Sequence, residues 1–348
     1  MSEKASIRVL MVDDSAVMRS IIERALQDCP DIAVVGKVAT TREAFSFLAE
    51  QSVDVVLLDH EMPTQKGLDA LPAIMEAAKG AHVVMLSSHC QKGSKTAVAA
   101  LSLGASDALP KPTRAQSSKE FATTLSGRLR RLAASRRVRR EAQGRIEFRP
   151  FPTDFRPECV AIGASTGGIH TLAEFLRAFR RKPLVPLLVT QHLPESFTPY
   201  YAQQVARMCD LPVAVAQPGD AFLPGHVYIA PGDGSLSCVR EQNTVRAALV
   251  SERDPVTHAR PSVNIMFSGL AQSYGASVLG VVLTGMGRDG TAGARDIVEA
   301  GGAVIAQDAE SSVIWGMPGS VTSAGLACAT LHPRDMFDYL SERCGGAL

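Results

Sequence analysis

Residues 7–14 read IRVLMVDD, a six-residue run dominated by Ile, Val, Leu and Met that ends in a pair of aspartates, Asp13 and Asp14. An apolar run of this length is the pattern of a strand buried on both faces. Four more such runs follow in the first third of the chain, at 33–38, 53–58, 82–86 and 107–109. Between them, segments such as 41–51, TREAFSFLAEQ, place Ala44, Phe45 and Leu48 at helical spacing behind Thr41 and Glu43. Strands alternating with amphipathic helices predict an α/β domain, its parallel sheet covered by helices on both faces.

The alternation stops after Pro112 and restarts at Cys159. The later strand-like runs are CVAIGAS (159–165), PLLVTQH (186–192), HVYIAP (226–231), SVLGVVLTG (277–285) and AVIAQD (303–308), separated by turn signals or helical patterns such as TLAEFLRAF. They predict a second α/β domain with a mostly parallel sheet. The intervening GRLRRLAASRRVRR (127–140) and RPFPTDFRPE (149–158) are arginine-rich and proline-broken, and we read them as a linker. Its basic half reads either as a solvated continuation of the last helix of the first domain or as a docking surface for an acidic partner. The expected organisation is therefore a first domain over 1–125, a linker over 126–157 and a second domain over 158–348.

At 348 residues the chain is long enough for two cores. Hydrophobic residues at 46% and charged residues at 20% are globular proportions, and a formal net charge of +1 gives no overall field for nucleic acid or membrane lipid. No run approaches the roughly 20 apolar residues that cross a bilayer, and no leader pattern opens the chain. The expected address is the cytoplasm, without membrane insertion or nucleic-acid binding. Seven scattered cysteines fit neither a zinc site nor a disulfide framework and read as incidental thiols.

In a parallel α/β sheet the ligand crevice lies beyond the carboxyl ends of the strands. Asp13 and Asp14 end the first strand, Asp59 the third and Ser87 the fourth, while Lys111 precedes Pro112 after the fifth. Three carboxylates at one edge repel unless a hard divalent cation sits among them, and Mg²⁺ prefers oxygen ligands. Asp59 then reads as a nucleophile for phosphoryl transfer, with Lys111 neutralising the transferred group and the Ser87 hydroxyl bonding to it. The plainer alternative is that strand-end aspartates and Ser15 cap the following helices.

The ordered set, with Asp59 in LLDHEMP and Lys111 before proline, resembles the receiver domain of two-component response regulators over roughly residues 5–125. The resemblance implies a flavodoxin-like five-stranded parallel sheet, phosphorylation of Asp59 by a histidine kinase, and a Mg²⁺ shell of Asp13, Asp14, Asp59 and the Glu61 backbone carbonyl. Receivers usually carry an aromatic residue where this chain has Ala108, which puts the usual aromatic switch in question.

In the second domain Ser165 stands where the run CVAIGAS meets Thr166-Gly167-Gly168 and a helix. Such a turn suits either an exposed nucleophile beside a helix N-terminus or a glycine-rich phosphate cradle. His192 and Asp289 close two other strand-like runs. Together they predict a triad: Ser165 attacks, His192 accepts its proton, and Asp289 orients the imidazole.

The order Ser, His, Asp is not that of the usual α/β hydrolases. The motifs GASTGG, QH-x-P, IAPGD, RPSV, LTGMG-x-DG-x-AG and AQD…SSVIWGMPG instead resemble, in that order, the catalytic domain of the CheB-type chemotaxis protein-glutamate methylesterases, over roughly 158–345. The resemblance implies a doubly wound α/β hydrolase domain without a cofactor, which demethylates chemoreceptor glutamates and deamidates receptor glutamines, with Thr166 and Met286 supporting the oxyanion. Gly234 and Asn264 depart from the family pattern, in which a longer or basic residue and an aspartate are common; neither is a triad member, and the sequence gives no basis for choosing between an effect on the rim of the site and one on receptor preference. Two rival classes are a receiver joined to a non-enzymatic nucleotide- or protein-binding module, which has no need of His192 and Asp289, and a DNA-binding regulator, which calls for a basic recognition helix after the linker.

Overall fold

The computed structural model describes residues 6–63, 65–88, 95–112, 117–141, 147–242 and 244–348. It divides into two compact units, Met1–Val138 and Arg139–Leu348. In the first, strands β1 (Ile7–Val12), β2 (Ile32–Val38), β3 (Val55–Asp59), β4 (His82–Ser87) and β5 (Asp107–Pro110) alternate with helices α1 (Ala16–Leu26), α2 (Thr41–Glu50), α3 (Gly67–Ala77), α4 (Lys95–Ser102) and α5 (Ser118–Glu141). The sheet order is β2-β1-β3-β4-β5, every pair parallel. Each of the five runs read from the sequence forms a strand. Ser15 caps α1 by accepting the Met18 N–H at 3.2 Å, while Thr40 caps α2 through Glu43 N–H, also at 3.2 Å. The alternative of a capping serine thus holds for Ser15 without removing the aspartates from the crevice.

α5 runs on through the arginine-rich stretch. Arg128 pairs with Asp107 at 2.6 Å and Arg130 forks onto Asp31 at 2.7 and 2.8 Å, so the start of that stretch is tied to its own domain. The proline-broken half is also packed rather than free. Phe151 meets Phe155 and Tyr339 edge-on, and Arg149 N–H donates to Ala327 O at 3.0 Å. Prolines signal a break in regular structure, but the two phenylalanines between them find an apolar surface on the second unit.

That unit holds β6 (Cys159–Ala164), α6 (Gly168–Arg177), β7 (Leu187–Gln191), α7 (Thr198–Met208), β8 (Val213–Val215), β9 (Val227–Ile229), β10 (Ser235–Glu241), β11 (Thr244–Val250), α8 (Val263–Tyr274), β12 (Val278–Val282), α9 (Thr291–Glu299), β13 (Ala303–Gln307), α10 (Met317–Ser323), β14 (Ala329–Leu331) and α11 (Pro333–Ser341). Seven strands form a wholly parallel sheet in the order β14-β13-β12-β6-β7-β9-β8. β10 and β11 pair as a separate antiparallel ribbon, which the sequence reading does not include. One face of the ribbon, Leu236, Cys238, Val245 and Ala247, packs into the core with Met266, Phe267 and Leu270 of α8. No helix among the described residues is long and apolar enough to cross a membrane.

Candidate functional sites

The order in which strands are added to the first sheet reverses between β1 and β3, which opens a crevice at their carboxyl ends. Asp13 follows β1 and Asp59 closes β3. Asp59 is 0% exposed, with Lys111 Nζ 2.7 Å from its Oδ1 and 3.1 Å from Asp13 Oδ2. Asp59 Oδ1 also accepts the Glu61 N–H at 3.0 Å, and Asp13 Oδ1 that of Ser15 at 2.9 Å. Ser87 is fully buried at the end of β4, and the Lys111 N–H bonds to its carbonyl at 3.1 Å.

Burial pushes the Asp13 carboxyl above its ordinary value, and the Asp59 charge adds to that; Lys111 and the Ser15 N–H oppose without prevailing. Burial alone would depress Lys111, but Asp59 and Asp13 outweigh it and hold the ammonium charged. Oxygens of Asp13, Asp14 and Asp59 lie within 4.8 Å of one another, with Asp14 exposed. Asp59 Oδ2 is buried without a hydrogen-bond partner among the described residues. A crowded carboxylate set with an orphaned acceptor and one solvent-facing member fits a hard, partly hydrated divalent cation.

In the second sheet the reversal lies between β6 and β12. Ser165 follows β6, His192 follows β7, and Met286 and Asp289 lie in the loop after β12. Ala164 and Gln191 are in register, so Ser165 and His192 leave adjacent strand ends side by side. His192 Nε2 and Asp289 Oδ2 are 2.7 Å apart. No hydrogen bond joins the Ser165 hydroxyl to the imidazole among the described residues, a looseness common in sites without substrate.

Asp289 is 2% exposed and is held from all sides. Oδ2 also accepts Val263 N–H at 2.7 Å, while Oδ1 accepts Ser262 Oγ–H at 3.0 Å, Asn264 N–H at 3.1 Å and Gly290 N–H at 3.1 Å. These donors are largely the first turn of α8, where unpaired N–H groups and the helix dipole favour an anion. Burial raises the carboxyl's affinity for protons, but His192 and the α8 N–H groups outweigh it, so the group sits below the ordinary value of 3.8. An ionised carboxylate only accepts, so the imidazole proton is on Nε2 and Nδ1 is left basic.

The nucleophile turn is fixed by its carbonyls. Ser165 O accepts Gly168 N–H at 2.9 Å and the Gln191 side-chain amide at 2.7 Å, while Gly285 O accepts Gly316 and Met317 N–H at 3.1 and 2.8 Å. In a trans peptide the next N–H points the opposite way. The Thr166 and Met286 N–H groups are thereby oriented, and neither donates to another group among the described residues. Gly167 takes φ +82°, where an added Cβ would lie 2.5 Å from Val313, so glycine is needed to turn the chain into α6.

Asn264 is not on the rim of the site. It is 4% exposed, and its Oδ1 accepts Gly290 and Gly293 N–H at 2.9 and 3.0 Å, capping α9 from beneath Asp289. Gly234 is also buried, at the base of the ribbon, where a Cβ would crowd Val250 O at 3.3 Å. Sequence reasoning missed Ser262, Gln191 and Thr284 as supports of the site. The serine ahead of an apolar helical run is a capping signal, but that the cap also holds Asp289 arises only in three dimensions. Of the described cysteines, Cys159, Cys238, Cys328 and Cys344 are buried, Cys29 and Cys209 partly so, and all are free thiols.

A five-stranded α/β domain with an acidic crevice closed by a buried lysine is a receiver, so the molecule is a response regulator carrying a second α/β domain as its output. The chain belongs to the CheB methylesterase family. Residues 160–340 match the family model described as CheB methylesterase, and 9–121 match that of the response regulator receiver domain. It is 37% identical over 369 residues to the "protein-glutamate methylesterase/protein-glutamine glutaminase of group 2 operon" of Rhodospirillum centenum, covering 96% of this chain and 93% of that one. Against "protein-glutamate methylesterase/protein-glutamine glutaminase 1" of Caulobacter vibrioides it is 40% identical, covering 92% and 93%. The crystal structure of the Thermotoga maritima CheB methylesterase catalytic domain superposes with a TM-score of 0.52 at 36% identity, over 53% of this chain and 98% of that one.

Proposed function

We propose that the protein is a phosphorylation-controlled protein-glutamate methylesterase, acting also as a protein-glutamine glutaminase, on chemoreceptors in the cytoplasm. The observation that carries the reading is the His192–Asp289 pair, set on the N-terminus of α8 beside Ser165.

Ser165 Oγ attacks the γ-carbonyl carbon of a receptor glutamyl methyl ester while His192 Nδ1 takes its proton. The oxyanion is met by the Thr166 and Met286 N–H groups, whose direction is set before substrate arrives. The imidazolium returns the proton to the departing methoxy oxygen, methanol leaves, and water deprotonated by His192 hydrolyses the acyl-serine to free glutamate. A glutamine side chain follows the same course with ammonia as leaving group.

In the receiver, Asp59 accepts a phosphoryl group from a histidine kinase of the pathway. Lys111 neutralises its oxygens and the Ser87 hydroxyl bonds to one of them. Mg²⁺, held by Asp13, Asp14, Asp59 and the Glu61 carbonyl, would supply the remaining charge neutralisation. The test is methanol release from membranes carrying methylated receptor, with and without a small phosphodonor. Phosphodonor should stimulate the native protein on the order of tenfold, a shift of ~1.4 kcal/mol in a two-state switch. Asp59→Asn should keep the basal rate and lose the stimulation; a variant still stimulated would move the phosphoacceptor elsewhere.

Asn264 also offers a test by pH. Its Oδ1 shares the Gly290 N–H with Asp289 Oδ1, so the two oxygens are close neighbours. Asn264→Asp keeps an acceptor for α9 but adds negative charge beside the histidine–aspartate pair, favouring imidazolium. The acidic limb of the kcat/KM profile should therefore move to higher pH, by on the order of one unit. An unmoved limb would show that this charge is not felt by the base.

A further inference from the structure

Ser165 is bracketed by one residue that the reaction scheme above leaves without a role. We propose that Thr284, the second residue after β12, is a positioning residue that holds the nucleophile turn in its reactive geometry; this rests on Ser165 being the nucleophile.

The Thr284 carbonyl accepts the Ser165 N–H at 3.0 Å, and its hydroxyl lies 3.0 Å from the carbonyl oxygen of Thr166. One residue therefore grips the chain on both sides of the Ser165–Thr166 peptide, through its backbone carbonyl on one side and its side-chain hydroxyl on the other. The same hydroxyl accepts the Ile314 N–H at 2.9 Å and stands 3.1 Å from Ile314 O, so its single proton is shared between two carbonyls. Thr284 in turn is fixed through its own N–H, which donates to Gln307 Oε1 at 2.7 Å, and Gln307 Nε2 donates to Ser311 Oγ at 3.0 Å. Thr284 and Gln307 are both 0% exposed.

A buried polar network of this kind is costly to leave half-made and specifies one arrangement when complete. Its position decides what it specifies. Thr284 is followed by Gly285, where an added Cβ would stand 2.8 Å from Ser165 Cβ, and then by Met286. The strand end that bears Thr284 thus sets both the nucleophile turn and the start of the Met286 loop. A displacement of the order of 1 Å at such a point costs about a hundredfold in rate without touching substrate affinity.

A network that served only to stabilise the fold would change Tm and leave the kinetics of the folded fraction alone. The variants are Thr284→Ser, which keeps the hydroxyl, and Thr284→Val, which keeps the shape and removes it. Thr284→Ala, which is smaller and leaves room for water, serves should the valine variant not fold. Methanol release from methylated receptor membranes, normalised to folded protein by circular dichroism, should show kcat down 10- to 100-fold for Val or Ala with KM within about twofold, and Ser within about threefold of native. Native kcat per folded molecule in the Val or Ala variant would overturn the proposal, as would a Ser variant as slow as Ala. Ser165→Ala run alongside separates the two levels of the argument: if it stays active, the nucleophile assignment has failed, whereas an inactive Ser165→Ala with native-like Thr284 variants removes Thr284 alone.

Discussion

Ser165→Ala is expected to lower turnover of methylated receptor by about 10⁴- to 10⁶-fold, while the receiver still takes phosphate on Asp59. The change removes a single oxygen from a half-buried residue whose backbone contacts, to Thr284, Gly168 and Gln191, do not involve the side chain. The turn should therefore keep its shape, and loss of activity cannot be charged to unfolding. What survives is whatever the oriented N–H groups and substrate binding contribute without a nucleophile. Methanol release measures the first quantity and acyl-phosphate formation the second. Near-native methanol release would mean that the carbonyl is attacked by something other than Ser165, and the hydrolytic scheme would have to be rebuilt around His192 and water.

The two α/β domains were legible because a strand buried on both faces must be a nearly unbroken apolar run, and its polar end must then face the crevice. Val12 to Asp13, Leu58 to Asp59 and Ala164 to Ser165 are transitions of that kind, and each puts its polar residue at a switch point or beside it. The ribbon of β10 and β11 escaped because Glu241 and Arg246 lie on its outer face while the charged Arg240 ends its inner one, and a short two-stranded element buried on one face gives only a weak alternation. The packing of Phe151 and Phe155 escaped for a different reason: prolines report the loss of regular hydrogen bonding, not the absence of a surface to pack on. Least legible were the supports of the site. Ser262 and Asn264 meet Asp289 from some 25 residues away, and Thr284 meets Ile314 across 30. Those contacts depend on helix placement, which no local pattern encodes.

Asp289→Asn should cut turnover on the order of 10⁴-fold with receptor affinity little changed. The reason is the saturation of this carboxylate by donors: Val263 N–H and His192 Nε2–H on one oxygen, and Ser262 Oγ–H, Asn264 N–H and Gly290 N–H on the other. An asparagine has one accepting atom, so its NH₂ must face donors whichever way it turns. Turned toward His192, the amide donates to Nε2, which drives the imidazole proton onto Nδ1, the nitrogen needed as base. Turned the other way, it sets its hydrogens against the first turn of α8 and leaves buried N–H groups unpaired, at about 1–3 kcal/mol. Both orientations also remove the charge that stabilises the imidazolium. The pH dependence of stability follows in sign. A carboxyl held below 3.8 in the folded protein lends stability that is fully present above that unfolded value and is lost as pH falls through the lower folded one. The asparagine variant should accordingly be less stable than the native protein at neutral pH, and the gap should narrow in strong acid. Thermal unfolding at pH 7 and near pH 3, set beside methanol release at pH 7, tests both halves; a variant that kept native turnover would make Asp289 a structural anchor of α8 and require another acid for His192.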